Sequence, residues 1–441
     1  MLDILANRTY RHLFGAQVIA LIGTGLATVA LGLLAFDLAG DEAGMVLGTA
    51  LAIKMLAYVG VAPIAAAFAD RLPRRTMLVA LDLIRAAVAL LLPFVSQVWE
   101  VYVLIFVLQA ASAAFTPTFQ ATIPDVLPDE KEYTKALSLS RLAYDMESLI
   151  SPMLAAALLT VVSFHDLFAG TVVGFLVSAA LVVSVALPTP PVSQRRGIYD
   201  RTTRGLRIYL ATPRLRGLLA ISAGVAAAGS MVFVNTVVIV QAGFGLTQSA
   251  VALALASFGA GSMVAALGLP RLLEKWSDRT AMLGGIGVMV VGLFAGSFVV
   301  GHTSLMVLWF VLGLGYSTAQ TPSGRLLRRS AQAGDRPALF AAQFALSHAC
   351  WLLFYPLAGW LGTRFGITAA FVVLGIAGAL AVWVTTMVWP SQDPEVIEHE
   401  HSDLPHEHGH TLDAVRDGGR VRHAHAFVVD DQHPHWPSAG R

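Results

Sequence analysis

The stretch "AAFADRLPRRTML", residues 66–78, places four charged side chains between two long apolar segments. The segment before it runs from about residue 44 to 69, and the segment after it from about 76 to 96. Each is long enough to cross a hydrocarbon layer of about 30 Å, which takes roughly 20 residues of α-helix. The stretch therefore indicates a charged loop between two transmembrane helices.

The composition extends this interpretation to the whole chain. Of its 441 residues, 56% are hydrophobic and 13% are charged, whereas soluble proteins carry about 25% charged residues. The sequence therefore predicts an all-α protein that crosses a membrane many times. The net charge of +1 gives no indication of nucleic-acid binding, and the single cysteine, Cys350, has no disulfide partner in the sequence.

The apolar stretches divide the chain into twelve predicted transmembrane helices. Their approximate bounds are 12–37, 44–69, 76–96, 100–121, 136–162, 167–188, 214–241, 247–270, 280–301, 303–322, 337–362 and 366–389.

Lysine and arginine occur mainly in alternate loops between these stretches. The loop at Arg71 to Arg75 and the segment from Arg195 to Arg216 are basic, whereas the loops of the opposite set hold only Arg364. Basic loops are retained on the cytoplasmic side of a membrane. We therefore expect a multi-pass protein of the cell inner membrane with both termini in the cytoplasm.

The sequence also predicts two halves of six helices each. Thr116–Pro117 recurs as Thr321–Pro322, and Pro152 matches Pro356 at nearly the same spacing, which indicates an internal duplication. Such parallel repeats are typical of one large class of secondary transporters. The predicted units are the first half (1–187), a cytoplasmic central loop (188–213), the second half (214–390) and a tail (391–441).

The charged loop of residues 66–78 resembles the loop motif of the major facilitator superfamily. That motif has a glycine, an aspartate four residues later, and basic residues around a second glycine. Asp70, Arg71, Arg74 and Arg75 match its charges, while Ala66 and Pro73 replace its glycines. The resemblance implies the twelve-helix fold of this superfamily and a gate motif formed by the four charged residues.

Within this superfamily the chain resembles the nickel-resistance exporters. The shared features are "NRTYRHLF", "FTPTFQATIPDVLP" and a histidine-rich tail, residues 7–14, 115–128 and 391–441. Drug and siderophore exporters share the core resemblance, so only the tail points to metal. The resemblance implies efflux of nickel, and antiport is the mode expected of such exporters, although the span-five antiporter signature of the superfamily is reduced here to Ser151–Pro152.

The tail combines histidines with negative charge. Nine of the thirteen histidines lie there: His399, His401, His406, His408, His410, His423, His425, His433 and His435. The tail has ten Asp or Glu against four Arg. Neutral imidazole binds nickel, cobalt, copper and zinc. We expect a disordered, cytoplasmic, metal-binding segment that delivers, buffers or senses metal; the plain alternative is an expression tag or a polar tail.

Span five contains ionisable side chains at membrane depth. Arg141 and Asp145 are four residues apart, so an ion pair on one helix face is possible, and Glu147 points elsewhere. Buried carboxylates can exchange protons. Asp145 and Glu147 are therefore candidates for proton coupling or cation binding, with a structural ion pair as the alternative for Asp145.

Further candidates lie in other spans. His348 in span eleven is a candidate metal ligand or a packing residue, and Lys54 in span two is expected to snorkel outward or to pair with Asp37. Spans one, four, seven and ten line the cavity in the superfamily. That resemblance implies polar groups at the substrate, including Gln109, Asn235 and Gln320; hydrogen bonds between helices are the alternative.

The leading hypothesis from the sequence is proton-coupled export of nickel, and also of cobalt, by alternating access. A second hypothesis is export of a drug or another organic solute with an incidental metal-binding tail, and a third is a membrane-tethered metal buffer or sensor. We expect a monomeric transporter and not an enzyme. No cofactor is required; the expected partners are lipid, protons and divalent metal, which serves as substrate and tail ligand.

Overall fold

The computed structural model of the protein describes residues 2–39, 43–69, 72–188, 197–394, 396–401, 415–417, 420–433 and 435–437. These residues form fourteen α-helices and three β-strands. The helices are α1 (Arg8–Ala39), α2 (Ala43–Ala69), α3 (Arg74–Leu91), α4 (Val98–Val126), α5 (Glu130–Leu158), α6 (Phe164–Val183), α7 (Ile198–Ala211), α8 (Pro213–Val237), α9 (Gln248–Leu272), α10 (Asp278–Gly296), α11 (His302–Gln320), α12 (Ser323–Arg329), α13 (Arg336–Phe365) and α14 (Ile367–Val388).

Twelve of these helices correspond to the twelve predicted spans, which confirms the predicted fold class. They are α1–α6, α8–α11, α13 and α14. Within the described residues, ten helices are long and apolar enough to cross a membrane. Of the other two, α5 carries charged residues and α11 carries polar residues at both ends, yet both pack among the ten. Hydropathy alone does not identify α5 and α11 as transmembrane helices, but their packing places them in the bundle.

Each half of the bundle has its own core. In the first half α6 packs against α1 and α3, and α2 packs against α4; in the second half α8 packs against α13 and α14, and α11 against α9 and α10. The halves meet where α2 contacts α13 and where α5 contacts α9. A third helix pair, α4 and α13, also joins the two helical units of the bundle.

Small residues allow a close helix contact between α9 and α11. A Cβ atom on Gly261 would overlap the carbonyl group of Phe310, and one on Gly313 would overlap the carbonyl group of Phe258. Helices in membranes approach closely where such residues line the interface. These two glycines therefore fix the spacing of two helices that face the first half.

Two local features differ from the sequence interpretation. The predicted central loop contains a helix, α7, which packs against α13 and α2. The repeated Thr–Pro pairs also behave differently, because Pro117 lies inside α4, whereas Thr321–Pro322 separates α11 from α12. Proline disrupts a helix by removing one backbone donor, and only the second copy uses this to end the helix.

The described tail residues form a small antiparallel sheet of order β1-β3-β2. Its strands are β1 (Val396–His401), β2 (Val415–Asp417) and β3 (Arg420–Ala426). In β1 and β3, Ile397 is opposite His425, and His399 is opposite His423. These strands differ from the predicted disordered tail.

Candidate functional site

A cavity of about 430 Å³ lies between α2 of the first half and α8 and α13 of the second. We call it the α2/α8/α13 cavity. Its lining is mainly apolar, and the residues are Gly48, Leu51, Ala52, Lys54, Met55, Phe233, Val234, Leu352, Tyr355 and Pro356. On each helix these residues lie nearer the end that is remote from the basic loops. We call the end of the bundle that carries the basic loops the basic face. The cavity therefore lies in the opposite half of the bundle.

Ion pairs close the basic face between the two halves. Asp125 at the end of α4 accepts hydrogen bonds of 2.5 Å from Nη1 of Arg74 and of 2.5 Å from Nη1 of Arg336. Arg74 begins α3 in the first half and is 3% exposed, while Arg336 begins α13 in the second half. A single carboxylate thus joins three helices and both halves.

A second set of contacts closes the same face beside it. Arg325 of α12 pairs with Glu130 of α5 and with Asp278 of α10, the latter at 2.9 Å, and its Nη1 donates to Thr134 at 2.8 Å. Arg328 donates to the Pro128 carbonyl group. With the basic face closed and the cavity on the other side, the arrangement suits one state of an alternating-access transporter.

The predicted pair of Arg141 and Asp145 is present and lies at the interface between the halves. The guanidinium of Arg141 donates two hydrogen bonds to Asp145 Oδ1 and stacks over Tyr316 of α11 at 4.7 Å. Ser262 of α9 donates a 2.6 Å hydrogen bond to Asp145 Oδ2. Asp145 is 3% exposed, so its carboxylate is committed to contacts that connect α5 with the second half.

Lys54, Tyr58, Glu147 and His348 form a second polar group, which we call the lysine cluster. The Lys54 ammonium lies 5.6 Å from the centre of the Tyr58 ring, and the Tyr58 ring meets His348 edge-on at 4.7 Å. The Lys54 ammonium is near enough to the Glu147 carboxylate for their opposite charges to interact. The expected pairing with Asp37 is absent, because Asp37 is exposed and no ion pair joins these two described residues.

His348 has a defined tautomer in this cluster. Its Nδ1 lies 2.7 Å from the carbonyl oxygen of Phe344, and a carbonyl oxygen can only accept, so Nδ1 carries the proton. Nε2 then keeps a free lone pair as an acceptor or ligand. The ring also packs on Phe344 at 4.2 Å, which is the packing role expected as the alternative.

The remaining predicted polar residues of the bundle are dispersed. Asn235 is 2% exposed and donates a 3.1 Å hydrogen bond from Nδ2 to the Ala358 carbonyl group, which joins α8 to α13. Gln109 and Gln320 are partly buried, and neither lines the α2/α8/α13 cavity. Gln17 lines a smaller cavity of about 90 Å³ near the basic face.

The gate motif is described in part. Arg74 is buried against Asp125, whereas Arg75 is exposed. Asp70 and Arg71 lie outside the described residues, so their role in the gate motif stays a prediction. The sequence analysis missed Asp125, which the structure gives as the partner of Arg74. The available signal was its position at the end of span four, on the same side as the basic loop of Arg71 to Arg75.

The tail histidines are distributed over the sheet and the segment after it. His399 and His401 lie in β1, and His423 and His425 lie in β3, where His399 is the register partner of His423. His433 is buried beside Asp430, with 2.9 Å between Nδ1 and Oδ1, and His435 is exposed. His406, His408 and His410 lie outside the described residues. Within the described part of the chain, no three His, Cys, Asp or Glu are grouped to hold a metal ion.

The end of the tail docks on the basic face of the second half. Asp431 accepts a 2.7 Å hydrogen bond from Arg204 of α7, which also forms a two-pronged pair with Asp335. Burial lowers the pKa of Arg204, but these carboxylates outweigh that effect and hold the pKa above its usual range. Phe427 is buried in the core of the second half, and Trp436 stacks on Arg214 at 4.9 Å.

Comparison with known proteins places this geometry in a family. The sequence profile of the major facilitator superfamily matches residues 13–219 and 218–407. The transporter YfiS of Bacillus subtilis is 23% identical over 82% of this chain and 89% of its own length. Macrolide efflux protein A of Streptococcus pyogenes is 26% identical over 40% of this chain and 44% of its own length.

Solved structures show the same fold at low identity. The human organic anion transporter MFSD10 superimposes with a TM-score of 0.76 at 12% identity, covering 86% of this chain and 99% of its own. The transporter FucP in its outward conformation superimposes with a TM-score of 0.68 at 13% identity, covering 87% of this chain and 99% of its own. The family profile spans both halves of the bundle, and the chain therefore belongs to the major facilitator superfamily.

Proposed function

We propose that this superfamily transporter exports an organic solute by alternating access. The α2/α8/α13 cavity carries the proposal, because a volume of about 430 Å³ with a mainly apolar lining fits an organic molecule. Phe233, Leu352 and Met55 supply apolar surface on three helices. These helices belong to different halves, so a rocking motion would carry a solute between them from one side of the membrane to the other.

The cavity lining is poorly suited to a bare divalent cation. Nickel, cobalt and zinc are bound by imidazole, thiolate or carboxylate groups, and the described lining residues provide none of these. The ionisable groups among them are Lys54 and Tyr355. The positive charge of Lys54 repels a cation, which favours the organic-solute hypothesis over direct transport of metal through this cavity.

The relatives support efflux as the direction. Macrolide efflux protein A shares a segment with this chain, and macrolides are organic molecules with large apolar surfaces. We assign the inner membrane as the site of the protein, with the basic face and the tail in the cytoplasm, because basic loops stay on that side. Protons are the expected driving ion, and Glu147 is the assigned coupling carboxylate because its charge interacts with Lys54 of the cavity.

Filling the cavity tests this function. Gly48 lines the cavity, and a Cβ added there meets no atom within 4 Å, so Gly48→Trp should fold and place its indole ring in the solute space. We expect a clash of about 1–3 kcal/mol, hence a roughly five- to 150-fold loss of solute affinity. The measurement is the resistance of pump-deficient cells to a panel of amphipathic antibiotics that includes a macrolide.

The matched control is Gly60→Trp on the same helix. Gly60 also has open space around its Cβ position, and it lies outside the cavity lining. This variant should protect cells as well as the unmodified protein does. Equal protection by both variants, or protection against none of the antibiotics by the unmodified protein, would count against the proposed function.

Export of divalent metal is a second candidate, and the tail sheet favours it. His399 is opposite His423 in the register, and His401 and His425 are each two residues from this pair along their strands. Cross-strand neighbours have Cβ atoms about 4.5–5.5 Å apart, a spacing that permits two imidazoles to share one ion. The excess of acidic residues in the tail would attract the cation to it.

Nickel titration of the purified full chain tests the tail. The double variant His399→Ala/His423→Ala should lose about ten-fold or more in nickel affinity, since each lost ligand removes one metal bond. His435→Ala is the control, because His435 is exposed and lies beyond the sheet. Unchanged nickel affinity of the double variant would exclude the sheet site, and unchanged nickel content of cells that express the protein would exclude metal export.

A further inference from the structure

We propose that Lys54 is the counter-ion of a negatively charged group on the transported solute, so that the substrate class is organic anions with an apolar body. This inference rests on the proposed function. The α2/α8/α13 cavity offers apolar side chains on α8 and α13 and one ammonium group on α2. The two features together describe an amphipathic anion.

The position of Lys54 is costly for the protein. A lysine at the centre of a transmembrane helix disfavours membrane insertion by about 2.5–3.5 kcal/mol. The chain has four lysines, and the other three, Lys131, Lys135 and Lys275, lie in or next to the basic loops. Lys54 lies eleven residues into α2, which begins at Ala43. A charged side chain in the middle of a transmembrane helix points to a ligand or a partner.

The described residues do not neutralise Lys54 by direct contact. No carboxylate oxygen among them lies within 4 Å of the ammonium. The Tyr58 ring, 5.6 Å away, stabilises the charge through its π-face but accepts no conventional hydrogen bond there. An ammonium has three donors, and the cavity is the space into which they can point to meet a ligand.

Glu147 acts on Lys54 from a distance. An added Cβ on Gly25 of α1 would lie 3.2 Å from Glu147 Oε1, so this carboxylate lies against α1. Its negative charge interacts with Lys54 without forming a contact ion pair. Glu147 therefore reduces the cost of burying the ammonium and leaves its hydrogen-bonding capacity to a solute.

The aromatic wall next to the lysine accounts for the apolar part of the ligand. Tyr355 and Phe233 line the cavity, and both pack on Trp351, with ring centres 4.9 and 6.0 Å apart. Phe233 also contacts Phe258 edge-on at 5.4 Å. These rings form a rigid surface on which an aromatic or aliphatic body can lie while its anionic group reaches Lys54.

Three probes with the same phenyl group and four-carbon chain separate charge from apolar binding. They are 4-phenylbutyrate, 4-phenylbutanol and 4-phenylbutylamine, titrated calorimetrically into the purified full chain in detergent. We expect the anion to bind about ten-fold or more tightly than the alcohol, the size of a charge-assisted hydrogen bond, and the amine to bind most weakly. Lys54→Gln should bring the anion and the alcohol within about two-fold of each other.

Two further variants make the result specific. Lys54→Arg keeps the charge and should keep the anion preference, and Lys275→Gln removes an exposed lysine near the basic face and should change nothing. Equal binding of the anion and the alcohol by the unmodified protein, or an anion preference that survives Lys54→Gln, overturns the inference while organic-solute transport stands. Absence of binding of all three probes up to millimolar concentration overturns both proposals.

Discussion

Replacing Asp145 with alanine is expected to destabilise the folded bundle by about 3–5 kcal/mol, which is the cost of removing one partner from a buried ion pair. Asp145 is 3% exposed and holds the guanidinium of Arg141, whose side chain is 19% exposed. The variant leaves that cation without its carboxylate and also removes the acceptor of the Ser262 hydroxyl group. Unfolding of the purified protein in detergent, followed by far-UV circular dichroism, measures the effect.

Two controls test whether the loss of stability comes from an unpaired buried charge or from the loss of any ion pair. Asp200→Ala removes the partner of Arg207 from an exposed pair on α7, with side chains 36% and 57% exposed. Exposed pairs contribute about 0–1 kcal/mol, so this variant should unfold almost as the unmodified protein does. Arg141→Met/Asp145→Leu removes both charges, and apolar replacement of a buried pair is often neutral. Greater damage by the double variant than by Asp145→Ala would contradict the explanation.

The sequence predicts the local parts of this network and misses its long-range parts. Arg141 and Asp145 are one helical turn apart, so the spacing alone predicts their contact, and the structure contains it. Ser262 and Tyr316 lie far along the chain, on helices with other polar residues from which the sequence does not distinguish them. Their selection depends on how α9 and α11 pack at Gly261 and Gly313, which hydropathy does not encode.

The contacts around Lys54 and His348 are likewise partly long-range and were missed in the sequence. The sequence shows each as an ionisable residue in an apolar stretch, and for Lys54 it predicts either snorkelling outward or a pair with Asp37 of the neighbouring span. The structure instead places the Lys54 ammonium near the Tyr58 ring of its own helix, and Tyr58 contacts His348 of α13 in the other half. Contact between α2 and α13 arises from the arrangement of two six-helix units, and no short-range pattern predicts it.

The tail shows how local composition can mislead. Its polar, acidic sequence predicts disorder, yet Val396–His401 and Arg420–Ala426 pair as antiparallel strands. Phe427 and Trp436 supply apolar anchors that pack on the second half. The His-X-His spacing, interpreted as a flexible ligand pattern, is equally the two-residue period of a strand.

Replacing Asp125 with asparagine is expected to open the basic face and to reduce transport about ten-fold or more. Asp125 accepts from Arg74 and Arg336 at 2.5 Å each, and its side chain is 13% exposed. Charge-assisted hydrogen bonds in partly buried sites contribute about 1.5–3 kcal/mol each, and Arg336 is the partner across the halves. Loss of that contact favours the conformation in which α4 and α13 separate at the basic face.

Spin labels on both halves report the change directly. In a Cys350→Ser background, Lys131→Cys and Glu274→Cys place labels on exposed positions of the first and second halves near the basic face. Their distance distribution should shift to longer values in Asp125→Asn. Asp129→Asn makes the same chemical change four residues away, where the side chain caps α5 through the Glu132 amide and asparagine caps equally well. A shift of equal size in the Asp129 control, or none in Asp125→Asn, would show that Asp125 does not hold the halves together.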